Sequence, residues 1–243
     1  MPNWCSNHMQ VFGPSEELDK LHGDIGSADK KIAEMVMPCP VELRNTMAGG
    51  YGKDENGNIR PEQVLLDARQ KKNMKKYGAT DWYDWCVKNW GTKWDADGLK
   101  RDEVGEYSYA TAWGPFGNNL IAALSRKYPT LSFVITYDEP GMGFAGVMAA
   151  RGGKIVMDRY GELQDNEFIH DGKVLFTVPS APEDGTDEFD SDEFDEFGEY
   201  IELLSKQLET WVMEATQELA KNAKTVKKAR RRPAKKARRH LVK

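Results

Sequence analysis

The chain has 243 residues, of which 40% are hydrophobic and 10% aromatic, enough to build a buried core. No apolar run approaches the ~18 residues that a membrane-spanning helix needs, and the N-terminus lacks the basic and apolar regions of a secretory signal. We therefore expect no membrane partner. Three cysteines, Cys5, Cys39 and Cys86, do not make a disulfide framework, so we expect reduced thiols in a cytoplasm.

Charge is strongly segregated along the chain. The formal net charge of -5 comes from 34 basic and 39 acidic residues. From Lys221 to Lys243 there are twelve Lys or Arg and no Asp or Glu, which leaves 22 basic against 39 acidic residues before that point. We expect the acidic body to repel nucleic acid and the basic end to attract it.

The first elements are predicted to be a strand, a helix and a strand. Residues 7–13 are predicted to form a short strand that ends at Gly-Pro. Ser15 is the predicted N-cap of a helix whose first turn is acidic. Residues 31–37 are predicted to form the second strand, because prolines follow directly.

Residues 41–105 have the features of a long, helical insertion. Glycine-rich turns occupy its first part, and Pro61 suits the first position of a helix. Thr80 or Asp81 is placed to cap the next helix, which is rich in tryptophan.

Strands dominate the following part of the chain. Residues 107–113 have strand character, and residues 118–127 are predicted to form an amphipathic helix. Residues 131–137 give the strongest strand prediction, since they alternate and are rich in β-branched and aromatic residues. Further strands are predicted at 144–150, 154–159 and, at a sheet edge, 173–178.

The C-terminal part changes character. An acidic segment leads into a predicted amphipathic helix from about Ser191 to about Asn222. Its apolar stripe consists of Phe194, Phe197, Ile201, Leu204, Leu208, Trp211, Ala215 and Leu219. The acidic start of this helix either imitates a phosphate backbone or is simply solvated. Residues after Lys224 are too poor in apolar side chains to fold alone.

The order of these elements predicts an α+β protein with a ferredoxin-like antiparallel sheet, helices on one face, a Trp-rich helical insertion and a long C-terminal amphipathic helix. The predicted divisions are a ferredoxin-like domain at 1–179 with its insertion at 41–105, an acidic segment and helix at 180–223, and a disordered basic tail at 224–243.

Several short stretches form a set that spans residue 1 to about residue 146. They are MPNWCSN (1–7), PCPVEL (38–43), YGATDWYDWC (77–86), NWGTKWDA (89–96), TAWGP (111–115), YP (128–129), EPG (139–141) and FAG (144–146). Together they resemble the Api92-like proteins of phages and plasmids, which have a YubB-type ferredoxin-like domain. The resemblance implies that fold, a mobile-element origin and the cytoplasm of a bacterial host. It implies no catalytic residues.

The tryptophans of the insertion are candidate partner-binding residues: Trp82, Trp85, Trp90 and Trp94. With Tyr83 and Trp113 they offer stacking platforms for unpaired bases. Core packing explains their spacing of three at least as well, and neighbouring aspartates would repel phosphates. Both interpretations stay open from the sequence.

No metal, cofactor or catalytic site is predicted. Cys5 and His8 would lie on opposite faces of a strand, and the other cysteines match no compact zinc spacing. The segment that begins at Asp54 has Ile59 and Leu65 where a calcium loop has glycine and glutamate, and the glycines at 141–146 lack the lysine of a phosphate loop and join two strands. The four histidines have no evident nucleophile partner.

The basic tail gives the leading functional hypothesis: a non-enzymatic binding protein that attaches to DNA or RNA without reading sequence. The candidate nucleic-acid-binding residues are Lys227, Lys228, Arg230, Arg231, Arg232, Lys235, Lys236, Arg238 and Arg239. The tail would otherwise be a solubilising end, or one that folds back on the acidic body. One alternative is a decoy that inhibits a host defence or restriction protein through its acidic surface. Another is an enzyme with an unrecognised site.

Overall fold

The computed structural model describes residues 3–25, 31–178 and 192–230, and for residues 192–197 and 225–230 it describes the backbone only. The strands are β1 Trp4–Phe12, β2 Asp97–Glu103, β3 Glu106–Ala112, β4 Ser132–Glu139, β5 Phe144–Arg151, β6 Lys154–Gln164, β7 Glu167–His170 and β8 Lys173–Thr177. The helices are α1 Ser15–Asp24, α2 Ile32–Val36, α3 Val41–Arg44, α4 Pro61–Tyr77, α5 Trp82–Trp90, α6 Asn118–Lys127 and α7 Asp192–Arg230.

All eight strands form one antiparallel sheet in the order β2-β3-β1-β4-β5-β6-β7-β8. The N-terminal strand β1 lies inside the sheet between β3 and β4, and Trp4 pairs with Ala112 at its beginning. From β4 onward each strand pairs with the next one along the chain. The α+β class and the antiparallel sheet are as predicted.

The helix ends follow local chemistry. Pro61 is the first residue of α4, and the Asp81 side chain caps α5 by accepting the backbone N–H of Asp84 at 3.0 Å. Gly91 ends α5 with a φ of 82° and lies against Gly117, where α6 begins. A Cβ at Gly91 would come 2.5 Å from the Gly117 nitrogen, so only glycine permits this close approach.

Two apolar cores lie on opposite faces of the sheet. On one face α1, α2, α3, α5 and α6 pack against residues such as Met9, Tyr107 and Phe133. On the other face α7 packs Leu204, Trp211, Ala215 and Leu219 against residues such as Val134 and Val147 on β4, β5 and β6; the side chains of Phe194 and Phe197 lie outside the described part. The helices that precede α7 and contribute to the first core lie on one face, as predicted, and α7 covers the other face, a placement that the sequence left open.

Residues 31–37, predicted as a strand, contain the helix α2 instead. The carboxylate of Asp95 accepts the backbone N–H groups of Ala33 and Glu34, both at 2.8 Å, and so caps this helix from a distant part of the chain. Strand β1 already pairs with β3 on one side and with β4 on the other, which leaves no place for another strand beside it. Tertiary contacts thus override the local pattern.

Other element boundaries also differ from the predictions. The strands β2 and β7 were not predicted, and β2 lies inside the predicted insertion. Pro14 is the N-cap of α1, so Ser15 makes no capping bond. The helix α7 continues to Arg230, so it overlaps the start of the predicted tail, where Ala, Lys and Arg favour helix and the next proline is Pro233.

None of the described helices is both long and apolar enough to cross a bilayer. The edge position of β8 agrees with the prediction for residues 173–178.

Candidate functional site

The basic tail falls mostly outside the described residues. The backbones of Lys227, Lys228 and Arg230 belong to the last turns of α7. The remaining candidate tail residues, Arg231, Arg232, Lys235, Lys236, Arg238 and Arg239, lie beyond the described part of the chain. The sheet holds α7 through Leu204, Trp211 and other buried residues, so the basic segment follows a firmly packed helix.

The four candidate tryptophans divide into two kinds. Trp85 and Trp90 are core residues whose rings meet edge to face at 5.8 Å, and Trp90 Nε1 donates to the Met37 carbonyl at 2.8 Å. These two are therefore not available to a partner, and core packing is the correct interpretation for them. Trp82 is half-buried, and Trp94 is exposed.

Trp94 belongs to a second group of rings at the surface, which we call the aromatic cluster. Its members are Trp4, Tyr83, Trp94 and Trp113, with exposed fractions of 39%, 36%, 38% and 43%, together with Lys93. The rings of Trp4 and Trp94 stack with centroids 6.0 Å apart, and Tyr83 meets Trp113 edge to face at 6.1 Å. Lys93 Nζ joins the two pairs, at 4.2 Å from the Trp94 centroid and 5.9 Å from that of Tyr83.

Trp113 has a backbone conformation that is rare for a bulky residue. It follows β3 directly, and its φ is 71°. Its backbone N–H donates to the carbonyl of Asn3 at 2.8 Å, which ties it to the start of β1. The residue nevertheless keeps 43% of its surface exposed.

The aspartates near the aromatic cluster are used within the protein. Asp84 accepts the backbone N–H of Thr80 at 2.8 Å, and Asp81 is buried as the cap of α5. Asp95 accepts three backbone N–H groups, those of Ala33, Glu34 and Ala96. Burial raises the pKa of the Asp95 carboxyl, although these N–H groups and Lys31 act against the rise. Each of these three carboxylates therefore has a hydrogen-bonding role within the fold.

The three thiols are buried and free. Burial, with a smaller contribution from Asp138, raises the pKa of Cys5 to about 12. Burial also raises the pKa of Cys39 and Cys86, whose side chains hydrogen-bond to each other. Cys5 and His8 lie on opposite faces of β1, as predicted. Within the described ranges, no three His, Cys, Asp or Glu side chains are grouped as metal ligands.

The sheet brings His8 next to Ser108, a pairing that the sequence did not indicate. Ser108 Oγ donates to Asp102 Oδ2 at 2.7 Å and lies 3.3 Å from His8 Nδ1. In a hydrolytic triad the imidazole lies between the serine and the carboxylate, whereas here the serine lies between the other two. The hydroxyl proton already points to Asp102, so this arrangement gives His8 no proton to accept.

A cavity of about 560 Å³ opens on β6 and β7, lined by Asp158, Tyr160, Glu162, Gln164, Ile169 and His170, among others. Both ring nitrogens of His170 have partners, the Tyr160 carbonyl at 2.6 Å and Arg159 at 3.1 Å. Asp158 accepts from Asn118 at 2.8 Å, and Glu162 from the Tyr160 hydroxyl at 3.1 Å. Internal hydrogen bonds thus occupy the polar groups of this cavity.

The two loops that resembled ligand sites are turns. Asp54 Oδ1 accepts the backbone N–H groups of Asn56 and Asn58 at 2.9 and 2.8 Å, and these bonds, with that of Asn58 the largest contribution, lower its pKa. Residues 140–142 form a 3-10 turn that joins β4 to β5, as the hairpin prediction required.

One cationic surface in the body was missed by the sequence interpretation. On α4 the side chains are exposed apart from Leu66, Asn73 and a few that are half-buried. The later turns of the helix carry Arg69, Lys71, Lys72, Lys75 and Lys76. This run of basic residues can be read from the sequence, but it was overlooked because the body as a whole is acidic.

Comparisons with known proteins bear on the central part of the chain. Residues 89–178 match the family model of the ferredoxin-like domain in Api92-like protein. The crystal structure of a protein api92 from Yersinia pseudotuberculosis is 12% identical, with a TM-score of 0.39, and the match covers 68% of this chain and 99% of that chain. Similarity at that level supports no argument about the site. No curated protein matches the chain.

The matched residues run from the end of α5 to the residue after β8, so they include seven of the eight described strands and α6. The sequence resemblance to this family is thus confirmed. Residues 89–178 of this chain are thus similar to the ferredoxin-like domain found in Api92-like proteins.

Proposed function

We propose that this chain is a non-enzymatic binding protein of a phage or plasmid that attaches to nucleic acid, without reading sequence, through its basic C-terminal segment. The observation that carries the proposal is the segregation of charge. Twelve basic and no acidic residues follow position 220, after a body with 22 basic and 39 acidic residues. The mobile-element origin and a bacterial cytoplasm rest on the family resemblance.

The packing of α7 supports this role. Trp211, Ala215 and Leu219 are buried against the sheet, and the same helix continues into the basic segment. Cations at the C-terminal end of a helix are favoured by the helix dipole, so Lys227, Lys228 and Arg230 suit their positions. The cationic segment therefore begins at the end of a helix that is packed on the sheet.

Attachment of this kind is governed by counterion release. Each phosphate neutralised by Lys or Arg steepens the fall of log K with log salt by ~0.9 for duplex DNA and ~0.7 for a single strand. Phosphate contacts carry no sequence information, so we expect similar affinity for unrelated sequences of equal length.

The test compares the full-length protein with a version that ends at Asn222, using fluorescence anisotropy with a labelled duplex across a salt series. Truncation should abolish most of the binding and flatten the salt dependence. A matched control replaces Lys100, Lys154 and Lys173 with glutamine, because these are exposed lysines spread over the sheet. Equal binding by the full-length and truncated proteins would exclude the tail, and Lys71, Lys72 and Lys75 on α4 would then be the next variants.

A second candidate function is a decoy that occupies a host nucleic-acid-binding protein through an acidic surface. Exposed carboxylates on the edge strand β2 favour it, those of Asp97, Asp102 and Glu103, which outnumber the exposed Lys100 and Arg101 of the same strand. A stoichiometric protein captured from bacterial lysate by the version ending at Asn222, and released by charge reversal on β2, would support this function.

A further inference from the structure

The aromatic cluster is an unusual surface for a stable fold to maintain. Four large rings from β1, α5, the loop before β2 and the residue after β3 meet at the surface, and each remains more than a third exposed. Contiguous exposed apolar surface of this kind marks an interaction site more often than it serves packing.

The conformation of Trp113 strengthens this view. A φ of 71° is unfavourable for a bulky side chain, and such strain is found where function requires it. Burial alone does not explain the choice of residue, because Trp113 keeps 43% of its surface exposed. Glycine or asparagine would fit the backbone better, so the indole itself is the reason for the position.

The charge in the aromatic cluster indicates the class of ligand. Lys93 lies between Trp94 and Tyr83, and no ion pair in the described part of the chain joins it to a carboxylate. The carboxylates of Asp84 and Asp95 are engaged by backbone N–H groups. A surface with partly exposed aromatic rings and an unneutralised cation matches a ligand with planar rings and negative charge.

We propose that the aromatic cluster is a stacking platform for the unpaired bases of a single-stranded nucleic acid, with Lys93 contacting a phosphate. Base faces are hidden inside a duplex, so the platform would add affinity for single strands only. This inference rests on the proposed function, to which it adds the form of nucleic acid that is preferred. The tail would attract either form, and the aromatic cluster would discriminate between them.

The experiment measures the affinity of the full-length protein for a labelled single-stranded oligonucleotide and for the duplex of the same sequence. Trp94→Ala and Trp113→Gly each remove one ring, and the glycine also suits the backbone at position 113. We expect each to weaken single-strand binding about tenfold, with duplex binding unchanged. Trp94→Phe should keep most of the affinity, because a phenyl ring still stacks.

The matched control is Tyr160→Ala, an exposed aromatic residue on β6 that stacks on Phe144 with centroids 6.0 Å apart. It lies three strands away from β1 and should leave both affinities unchanged. Far-UV circular dichroism and the melting temperature of each variant confirm that it is folded.

Several results would overturn the platform. Unchanged single-strand affinity in both variants would do so, as would an equal loss for single strand and duplex. Loss of a captured protein partner with oligonucleotide binding intact would assign the aromatic cluster to a protein instead. The tail is judged separately: if truncation after Asn222 leaves duplex binding intact, the proposed function fails, while the ratio of the single-strand to the duplex affinity still tests the platform.

Discussion

The left-handed backbone at Trp113 predicts an inversion of the usual order of alanine and glycine. Trp113→Ala and Trp113→Gly remove the same ring, so the two variants differ only by a Cβ. In ordinary helix or strand positions glycine is ~0.5–1 kcal/mol less stable than alanine. At a φ of 71° an L-residue costs ~1–2 kcal/mol that glycine avoids. The glycine variant should therefore be the more stable of the two, by about 1 kcal/mol.

Urea unfolding followed by circular dichroism measures this difference. With an m-value of ~2 kcal/mol per molar urea, the midpoint of the glycine variant should be higher by ~0.5 M. Ala110→Gly is the control, because Ala110 lies in β3 with ordinary extended backbone, and there glycine should lower stability by ~0.5–1 kcal/mol. If the alanine variant at 113 equals or exceeds the glycine variant while the control behaves normally, the backbone is not left-handed and the argument from strain fails.

Three further substitutions test the packing, the capping and the titration of buried groups. Gly146→Ala would place a Cβ against the Arg159 carbonyl and the Tyr137 hydroxyl, so it should lower the unfolding free energy by more than ~2 kcal/mol in urea unfolding. Gly23→Ala is the control: its Cβ would have no neighbour within 4 Å outside its own helix turn, so it should be neutral or stabilising. Asp95→Ala leaves the Ala33, Glu34 and Ala96 N–H groups without their acceptor and should lower the unfolding free energy by ~2 kcal/mol; a loss under ~0.5 kcal/mol would contradict the capping role. Burial raises the pKa of Cys5 from 9.0 to about 12, so the folded state holds this proton more tightly than the unfolded state. The unfolding free energy should therefore fall as pH rises from about 9 to about 12, and it should fall less steeply in Cys5→Ala.

Elements whose signals are local were predicted well from the sequence. The helix at residues 118–127 has the predicted bounds, and Asp81 caps α5 as its position suggested. The strand at 131–137 and its hairpin partner are present because alternation and turn residues act over short distances. The order of the elements was compatible with a ferredoxin-like fold, and the family resemblance implied the same fold.

What the sequence could not supply depends on contacts between distant residues. The segment 31–37 was predicted as a strand because prolines follow it, but a carboxylate about sixty residues away caps it as a helix. The strand β2 was hidden because Asp97–Glu103 is almost entirely polar, and an edge strand needs little apolar surface.

The candidate surface was only partly predictable for the same reason. Trp94, Tyr83 and Trp113 were named from the sequence, together with two tryptophans that belong to the core, whereas Trp4 was not. Trp4 and Trp113 are more than a hundred residues apart, and only the pairing of β1 with β3 places Trp4 opposite Ala112, beside Trp113. A spacing rule for helices selects Trp82 and Trp85 and has no means of adding rings from strands.

The two proposed contacts respond differently to salt, and this separates them in one experiment. Attraction by the tail is electrostatic, so it weakens steeply as counterions are added. Stacking on Trp94 and Trp113 depends on base–aromatic contact, which salt hardly screens. The preference for single strand over duplex should therefore persist or grow from low to moderate salt, even while both affinities fall. A preference that disappears with salt would mean that the tail distinguishes the two forms by charge density alone, and the exposed rings would then need another explanation.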